Sequence, residues 1–286
     1  MRFFKKNSAK NIVAQQPVEM PREYYYLGEG IAQLRLKSGH FIHVDPMDES
    51  VCAHLIAFGE WEPWILRVVR QLLRPGDHVV EVGGHVGYYT LAMADKVGAT
   101  GSILSFEANP RLAELARRSV LFNGYASRVR IEQKAVSHAG GMLRFMLSRR
   151  FSGGGHLFIR NGLLSKDAEV IEVESVRLDD LDLPKVRLLR MDAEGSEALI
   201  LEGASNLLET EGLIVCMEWD RIQMRSRSKP AELVKSLTDR GFRFWYITMQ
   251  GQVEPVDASA MMEIPHCDIL VSRIDVLALM SSENVV

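Results

Sequence analysis

Glycines and acids follow two predicted strands within one short stretch of this chain. Glu81 precedes the turn Gly83-Gly84-His85-Val86-Gly87, and Glu107 follows the next apolar run. Glycines let a backbone approach a ligand closely, and an acid after the second strand can accept both hydroxyls of a ribose. The residue types and their order therefore predict a strand–turn–helix–strand unit that holds a nucleoside.

The spacing of the glycines distinguishes two nucleoside cofactors. The pattern is Glu-x-Gly-x-x-x-Gly, whereas the dinucleotide fingerprint Gly-x-Gly-x-x-Gly would need glycine where Val82 stands. This departure favours S-adenosylmethionine (SAM) over NAD, and SAM implies methyl transfer. We assign Glu81, Gly83 and Gly87 to the methionine part of the cofactor and Glu107 to its ribose. Two residues after the third strand are candidates for apolar contact with adenine, although core packing explains them almost as well: Ala135 and Val136.

Acids also end two later strands, so four acids are expected at one edge of a sheet: Glu81, Glu107, Asp192 and Glu218. Asp192 is the best catalytic candidate, as proton acceptor, ligand of the SAM ammonium group or metal ligand. Glu194 and Glu218 would complete an oxygen-rich divalent site with it. Carboxylates near a cationic cofactor need no metal to explain them, so we do not favour metal dependence.

Two histidines compete for the role of general base. His156 follows three glycines in the loop Ser152 to His156, which could cover the site and move. An ordinary surface histidine is the alternative for His156. His85 stands inside the glycine turn and is expected near the cofactor.

Strand and helix patterns alternate from His78 onward, which predicts a mostly parallel sheet with helices on both faces. We expect a Rossmann-like α/β fold with a seven-stranded sheet, an antiparallel last strand and a small N-terminal β/α extension. The predicted sheet strands are His78 to Val82, Ser102 to Phe106, Val129 to Val136, Val186 to Met191, Leu213 to Met217, Phe242 to Thr248 and Cys267 to Ser272. Two further antiparallel strands, Met142 to Leu147 and Glu169 to Leu178, flank the glycine-rich loop.

The domain organisation follows from these elements. We predict a flexible tail over 1–20, an extension that covers the site over 21–76, the SAM-binding domain over 77–275 and a C-terminal tail over 276–286.

Composition sets broad limits on the function. The 286 residues are 47% hydrophobic and 25% charged, which is ordinary for a globular protein, and a net charge of -3 gives no reason to expect nucleic-acid binding. Three cysteines without metal-type spacing fit buried thiols in a reducing compartment, so a cytoplasmic location is expected. No apolar run reaches the length of a membrane span. The oligomeric state stays open, with a homodimer among the options.

Several sequence blocks resemble the FkbM-type family of SAM-dependent methyltransferases. They include Gly59-Glu60-Trp61-Glu62-Pro63, the glycine turn with Tyr88-Tyr89-Thr90, Phe106-Glu107-Ala108-Asn109-Pro110, Leu121-Phe122-Asn123-Gly124, Lys134-Ala135-Val136-Ser137, Val176-Arg177-Leu178-Asp179-Asp180-Leu181 and Met191-Asp192-Ala193-Glu194-Gly195-Ser196-Glu197. The last two blocks are the most specific. Four residues within these blocks join the predicted cofactor site through the resemblance: Tyr88, Thr90, Ala108 and Asn123.

The resemblance implies O-methylation of a small-molecule hydroxyl, often on a sugar or a polyketide-type natural product. The chain departs from the family pattern at Glu81, where Asp is usual, at Gly84-His85, where Ala-Asn is usual, and at Arg190, where Lys is usual. The alternatives are a SAM-dependent N-methyltransferase and a non-catalytic SAM-binding regulatory protein.

Overall fold

The structure is a computed structural model, and it describes residues 23–148, 150–158 and 167–281. The tail predicted over 1–20 lies outside the described residues.

The described chain begins with a small antiparallel sheet and two helices. Strands β1 (Tyr24–Gly28), β2 (Ile31–Arg35) and β3 (Phe41–Val44) pair in that order. Helices α1 (Val51–Phe58) and α2 (Pro63–Leu72) follow. Helix α2 carries proline in its first turn, where the absent N–H costs no hydrogen bond.

The remaining elements alternate as the sequence predicted. In chain order they are β4 (His78–Val82), α3 (Tyr88–Val97), β5 (Ser102–Phe106), α4 (Pro110–Phe122), β6 (Val129–Glu132), β7 (Ala135–Val136), β8 (Gly141–Ser148), β9 (His156–Leu157), β10 (Ala168–Val176), β11 (Val186–Met191), α5 (Glu197–Glu202), β12 (Ile214–Asp220), α6 (Arg221–Met224), α7 (Pro230–Asp239), β13 (Arg243–Ile247), β14 (Val253–Val256), β15 (His266–Ser272) and α8 (Val276–Ser281).

Eight strands form the main sheet in the order β14-β13-β15-β12-β11-β4-β5-β6. Strands β12, β11, β4, β5 and β6 pair in parallel, and β15 is antiparallel to both of its neighbours. The predicted α/β Rossmann-like fold with an antiparallel last strand is therefore confirmed. The sheet has one strand more than the seven expected, because β14 pairs with β13 as an added edge.

The parallel register aligns the carboxyl ends of the central strands. Val82 lies opposite both Phe106 and Met191, and Met191 lies opposite Met217. The residues that follow these strand ends therefore meet at one edge of the sheet, where ligands bind in open α/β folds.

A second sheet, in the order β7-β10-β8-β9, stands beside the main one. Strands β8 and β10 pair antiparallel along their length, as predicted. The single strand predicted from Val129 to Val136 is wrong. The chain leaves the main sheet after Glu132, passes through the exposed Gln133, and pairs β7 with β10 instead.

Apolar side chains fill both faces of the main sheet. One cluster joins α2, α3 and α4 to the small N-terminal sheet, and the other lies under α5 and α7. The segment predicted as a C-terminal tail begins with α8, whose Val276 is fully buried in the first cluster. Within the described ranges, no helix combines the length and apolarity needed to cross a membrane.

Candidate active site

A cavity of about 430 Å³ opens at the carboxyl edge of the main sheet. It is lined by the glycine turn after β4, by residues after β5 and β11, by Glu218 of β12, by β7 and by the segment Phe151–Gly155. Ser50, Val51, Trp61 and Glu62 line it from the N-terminal extension.

The glycine turn is pressed against its neighbours at two points. A Cβ on Gly83 would lie 1.9 Å from the Asp192 carbonyl oxygen, and one on Gly84 would lie 2.2 Å from Ser105 Oγ. The backbone N–H groups of both glycines donate to Phe106 O, at 2.9 and 3.1 Å. Only glycine fits this approach, and the bare backbone of the turn faces the cavity.

Glu81 lies behind this turn, fully buried, and does not line the cavity. Its Oε2 accepts hydrogen bonds from Thr90 Oγ1 and from Ser105 Oγ. Its Oε1 lies 3.7 Å from Arg190 Nη1. Burial raises the pKa of Glu81, while Arg190 and the two hydroxyls oppose that rise. Glu81 and Thr90 therefore support the turn from within the core.

Glu107 lines the cavity at the end of β5. Its Oε2 accepts from the backbone N–H of His85 and its Oε1 from that of Asn109, both at 2.8 Å. Burial raises the pKa of Glu107 to about 7, against the effect of these two hydrogen bonds. A carboxylate has about four acceptor positions, so the fixed group can still accept two hydroxyls.

One end of the cavity is apolar. Ala108, Ala135, Val136, Leu112 and Phe145 line it. Ala108, Ala135 and Phe145 belong to one buried cluster of the smaller sheet. The apolar side chains of this end suit contact with a base.

Acids crowd the other end. One carboxylate oxygen from each of Asp192, Glu194 and Glu218 lies within 4.8 Å of the other two, a spacing that could hold a cation. Burial and the charge of Asp192 raise the pKa of Glu194 to about 8. The same two causes raise the pKa of Glu218 to about 7, although His266 Nε2 lies 2.9 Å from its Oε1.

Arg190 is a buried cation that the sequence reasoning did not assign to the site. Its guanidinium lies 3.9 Å from the centre of the Tyr89 ring, and its Nη2 lies 3.2 Å from Asp192 Oδ2. Asp192 is therefore held by a charge that the protein core fixes in place. The signal was an arginine between the apolar residues Leu189 and Met191 near the end of a strand, which needs a partner when buried.

Glu62 is an acid that the N-terminal extension contributes to the cavity wall. It lines the cavity, accepts a hydrogen bond from Tyr89 Oη at 2.9 Å and adopts a left-handed φ of 39°. Burial raises the pKa of Glu62. The sequence block before α2 made Glu62 a candidate for the lining of the acceptor pocket, and Glu62 does line the cavity.

Five predicted site residues lie outside the cavity lining: Glu81, described above, and Gly87, Thr90, Asn123 and His156. Asn123 joins α4 to β3, because its Nδ2 donates to Phe41 O and its Oδ1 accepts from Phe41 N. Gly87 packs on Ala116 beneath the turn, and Thr90 bonds Glu81. His156 is fixed by its own loop, since its Nδ1 donates to Gly154 O at 2.8 Å. The structure therefore places these residues away from the cavity wall, and their roles at the cofactor stay predictions.

The remaining predicted residues line the cavity: Gly83, Tyr88, Glu107, Ala108, Ala135, Val136, Asp192, Glu194 and Glu218. His85 is the histidine of the cavity wall, and its Nε2 shares a hydrogen bond of 2.7 Å with Ser152 Oγ.

The strand order, the glycine turn after β4 and the acid after β5 together define the class of Rossmann-like SAM-dependent methyltransferase domains. Residues 81–244 match the model of the methyltransferase FkbM domain. Because this match covers more than half of the chain, the protein belongs to the FkbM methyltransferase family, as its sequence blocks predicted.

Two curated relatives show the same class of activity in their names. The protein-L-isoaspartate O-methyltransferase of Methanothrix thermoacetophila is 31% identical over 113 residues, which are 35% of this chain and 54% of that protein. The demethylmenaquinone methyltransferase of Symbiobacterium thermophilum is 29% identical over 79 residues, 27% of this chain and 32% of that protein. The chain thus spans about half, or less, of the length of these relatives.

Two solved structures resemble the chain distantly. The SAM-dependent O-methyltransferase of Thermotoga maritima is 14% identical, with a TM-score of 0.45 and coverage of 85% of this chain and 77% of that one. The methyltransferase FkbM of Methylobacillus flagellatus is 11% identical, with a TM-score of 0.42 and coverage of 69% and 44%.

Proposed function

We propose that this protein transfers the methyl group of SAM to a hydroxyl of a small molecule, with a sugar or a polyketide-type natural product as the acceptor class. Residues 77–275 form the catalytic domain in this proposal, and residues 21–76 form an extension over the site. The observation that carries the proposal is that one cavity holds the bare glycine turn, the Glu107 carboxylate and the acids Asp192 and Glu194.

The cavity lining fits the cofactor in two ways. Gly83 and Gly84 line the cavity, so a ligand can approach the main chain of the turn, and Glu107 retains acceptor capacity for ribose hydroxyls. The apolar end beside Ala135 accepts the adenine. SAM, when bound, supplies a methyl group on a positively charged sulfur.

The acidic end is the acceptor side in this proposal. An acceptor hydroxyl must lie in line with the carbon–sulfur bond, and alignment contributes much of the rate. The oxygen forms the new bond to carbon, the carbon–sulfur bond breaks with its electron pair on sulfur, and the hydroxyl proton leaves. Glu194 is the proposed proton acceptor, because a carboxylate with a pKa of about 8 is a stronger base than an ordinary one.

Asp192 has a different role in this proposal. Arg190 Nη2 lies 3.2 Å from Asp192 Oδ2, which partly neutralises the carboxylate and fixes its orientation. Asp192 then orients the cationic donor and the acceptor. We propose no metal in the reaction, because the cationic sulfur and the ammonium group of SAM already give these carboxylates their counter-charge.

Calorimetry followed by turnover tests this function. The protein should bind SAM and fail to bind NAD, and it should release S-adenosylhomocysteine (SAH) when a hydroxylated sugar or polyketide is added. Tight binding of NAD would overturn the assignment of the cofactor. Methylation of amines but not of the matched alcohols would replace the proposal with N-methylation. SAM binding without turnover on either panel would favour the regulatory alternative.

A further inference from the structure

The segment Phe151–Gly155, which we call the cover loop, forms one wall of the cavity. Two of its three glycines, Gly153 and Gly155, are closely packed. A Cβ on Gly155 would lie 3.0 Å from Phe145 Cζ, and one on Gly153 would lie 3.3 Å from Val51 Cγ2. The glycines therefore let the loop seat against the small sheet and α1, and its position depends on what anchors it.

Ser152 is the anchored residue of the cover loop, and it is 9% exposed. Its backbone N–H donates to Asp48 Oδ1 at 2.9 Å, which ties it to the N-terminal extension. The neighbouring Gly153 N–H donates to Ser50 Oγ at 3.2 Å. The Ser152 hydroxyl, in contrast, bonds His85 Nε2 at 2.7 Å and so ties the loop to the glycine turn.

His85 has a second contact in the opposite direction. Its backbone N–H donates to Glu107 Oε2 at 2.8 Å, the carboxylate assigned to the ribose. The imidazole is neutral near pH 7, because burial lowers its pKa to about 4. His85 thus connects the Glu107 carboxylate to the cover loop. Its backbone N–H bonds Glu107, and its imidazole bonds Ser152.

We propose that His85 is a positioning residue that couples cofactor binding to the cover loop, and so to the part of the cavity wall that this loop forms. The inference rests on the proposed function, since it takes Glu107 as the ribose ligand. Ribose hydroxyls on Glu107 hold the carboxylate that fixes the His85 backbone, and the imidazole then holds Ser152. Bound cofactor therefore stabilises the seated position of the cover loop.

Two variants break the contact from opposite sides. His85 has a φ of 50°, and asparagine tolerates this left-handed backbone while its shorter side chain does not reach Ser152. Ser152→Ala removes the hydroxyl without a change in the turn. His78→Asn is the matched control, because His78 Nδ1 bonds Ser102 Oγ at 2.8 Å at the other end of β4, away from the cavity.

Hydrogen exchange with and without SAH measures the coupling, and calorimetry measures SAH binding on the same samples. In the wild type and in His78→Asn, SAH should slow exchange of the cover-loop amides at least about fivefold, the lower range of allosteric coupling. His85→Asn and Ser152→Ala should bind SAH and lose this slowing. A merely structural contact would raise exchange equally with and without SAH.

Three results would contradict the inference in distinguishable ways. Equal slowing by SAH in His85→Asn and in the wild type would show that the cofactor seats the loop without His85. Binding of SAH with no change in the wild-type loop would show that no coupling exists. Failure of the wild type to bind either SAM or SAH would overturn the proposed function itself, and the inference with it.

Discussion

Gly83 lies directly against the main chain of Asp192, and a Cβ at position 83 would come within 1.9 Å of the Asp192 carbonyl oxygen. Asp192 N–H in turn donates to Val82 O at 3.0 Å. The cofactor turn and the acidic segment after β11 are therefore one packed unit, formed where two neighbouring parallel strands end. A change in the turn must therefore displace Asp192 as well.

Gly83→Ala should lower both stability and SAM affinity. The side chain meets backbone that cannot rotate away, and overpacking of this kind costs about 1–3 kcal/mol, in addition to the left-handed strain. Gly39→Ala is the matched control, since Gly39 has a similar φ of 91° with nothing within 4 Å of the added Cβ. Denaturant unfolding measures both variants. An equal loss of stability in the two would show that backbone strain alone is responsible.

SAM affinity should depend on the ionisation of Glu107. Its pKa of about 7 is raised mainly by burial, so the group is protonated below pH 7 and ionised above it. The ionised form accepts the stronger hydrogen bonds, and the affinity of the wild type should increase as the pH rises from 6 to 8. Glu107→Ala should bind about 1–3 kcal/mol more weakly at pH 8.

The comparison of wild type and Glu107→Ala at each pH removes any contribution from the ligand. Calorimetry should show that the dissociation constant of Glu107→Ala, divided by that of the wild type, increases with pH. A constant ratio in a folded variant would show that another group binds the ribose hydroxyls.

The rate of methyl transfer should rise through about pH 8 if Glu194 takes the acceptor proton. Burial and the charge of Asp192 raise its pKa to about 8, and the base must be ionised to act, so the active form increases with pH. Glu194→Gln should lower the single-turnover rate constant by a factor on the order of 10²–10⁴. The same pH profile in this variant would assign the titration to another residue.

Asp192→Asn should leave the fold intact and remove most of the turnover, because the variant loses its ion pair with Arg190 at 3.2 Å and its charge toward the donor. A chelator should leave the wild-type rate unchanged, as expected without a metal. Loss of rate that Mg²⁺ or Ca²⁺ restores would instead assign Asp192, Glu194 and Glu218 as metal ligands.

His156→Ala should transfer the methyl group at a rate within about twofold of the wild type, the range expected for a surface change of about 0.5 kcal/mol. The ring does not line the cavity, and its Nδ1 is bonded to Gly154 O. Single-turnover measurements on the variant, beside Glu194→Gln, separate the two candidates for the base. A large loss in His156→Ala alone would return the histidine to the mechanism.

The positions of the strands along the chain, and the acids that follow them, were predictable from local patterns. Apolar runs, glycines and prolines mark where strands end, and parallel strands bring their carboxyl ends to one edge whatever their exact pairing. The break after Glu132 was not predictable in this way, because the local pattern of residues 129–136 does not show that β7 joins a different sheet from β6.

The sequence by itself determined the fold class, the family and the chain positions from which the site is built, because these depend on residue type and short spacing. Only the tertiary structure decided which side chains face the cavity. Arg190 meets the Tyr89 ring, Glu62 meets the Tyr89 hydroxyl and His85 meets Ser152, all through contacts between residues distant in the chain. Burial and neighbouring charges, which exist only once the chain is packed, then decide which carboxylates have raised pKa values.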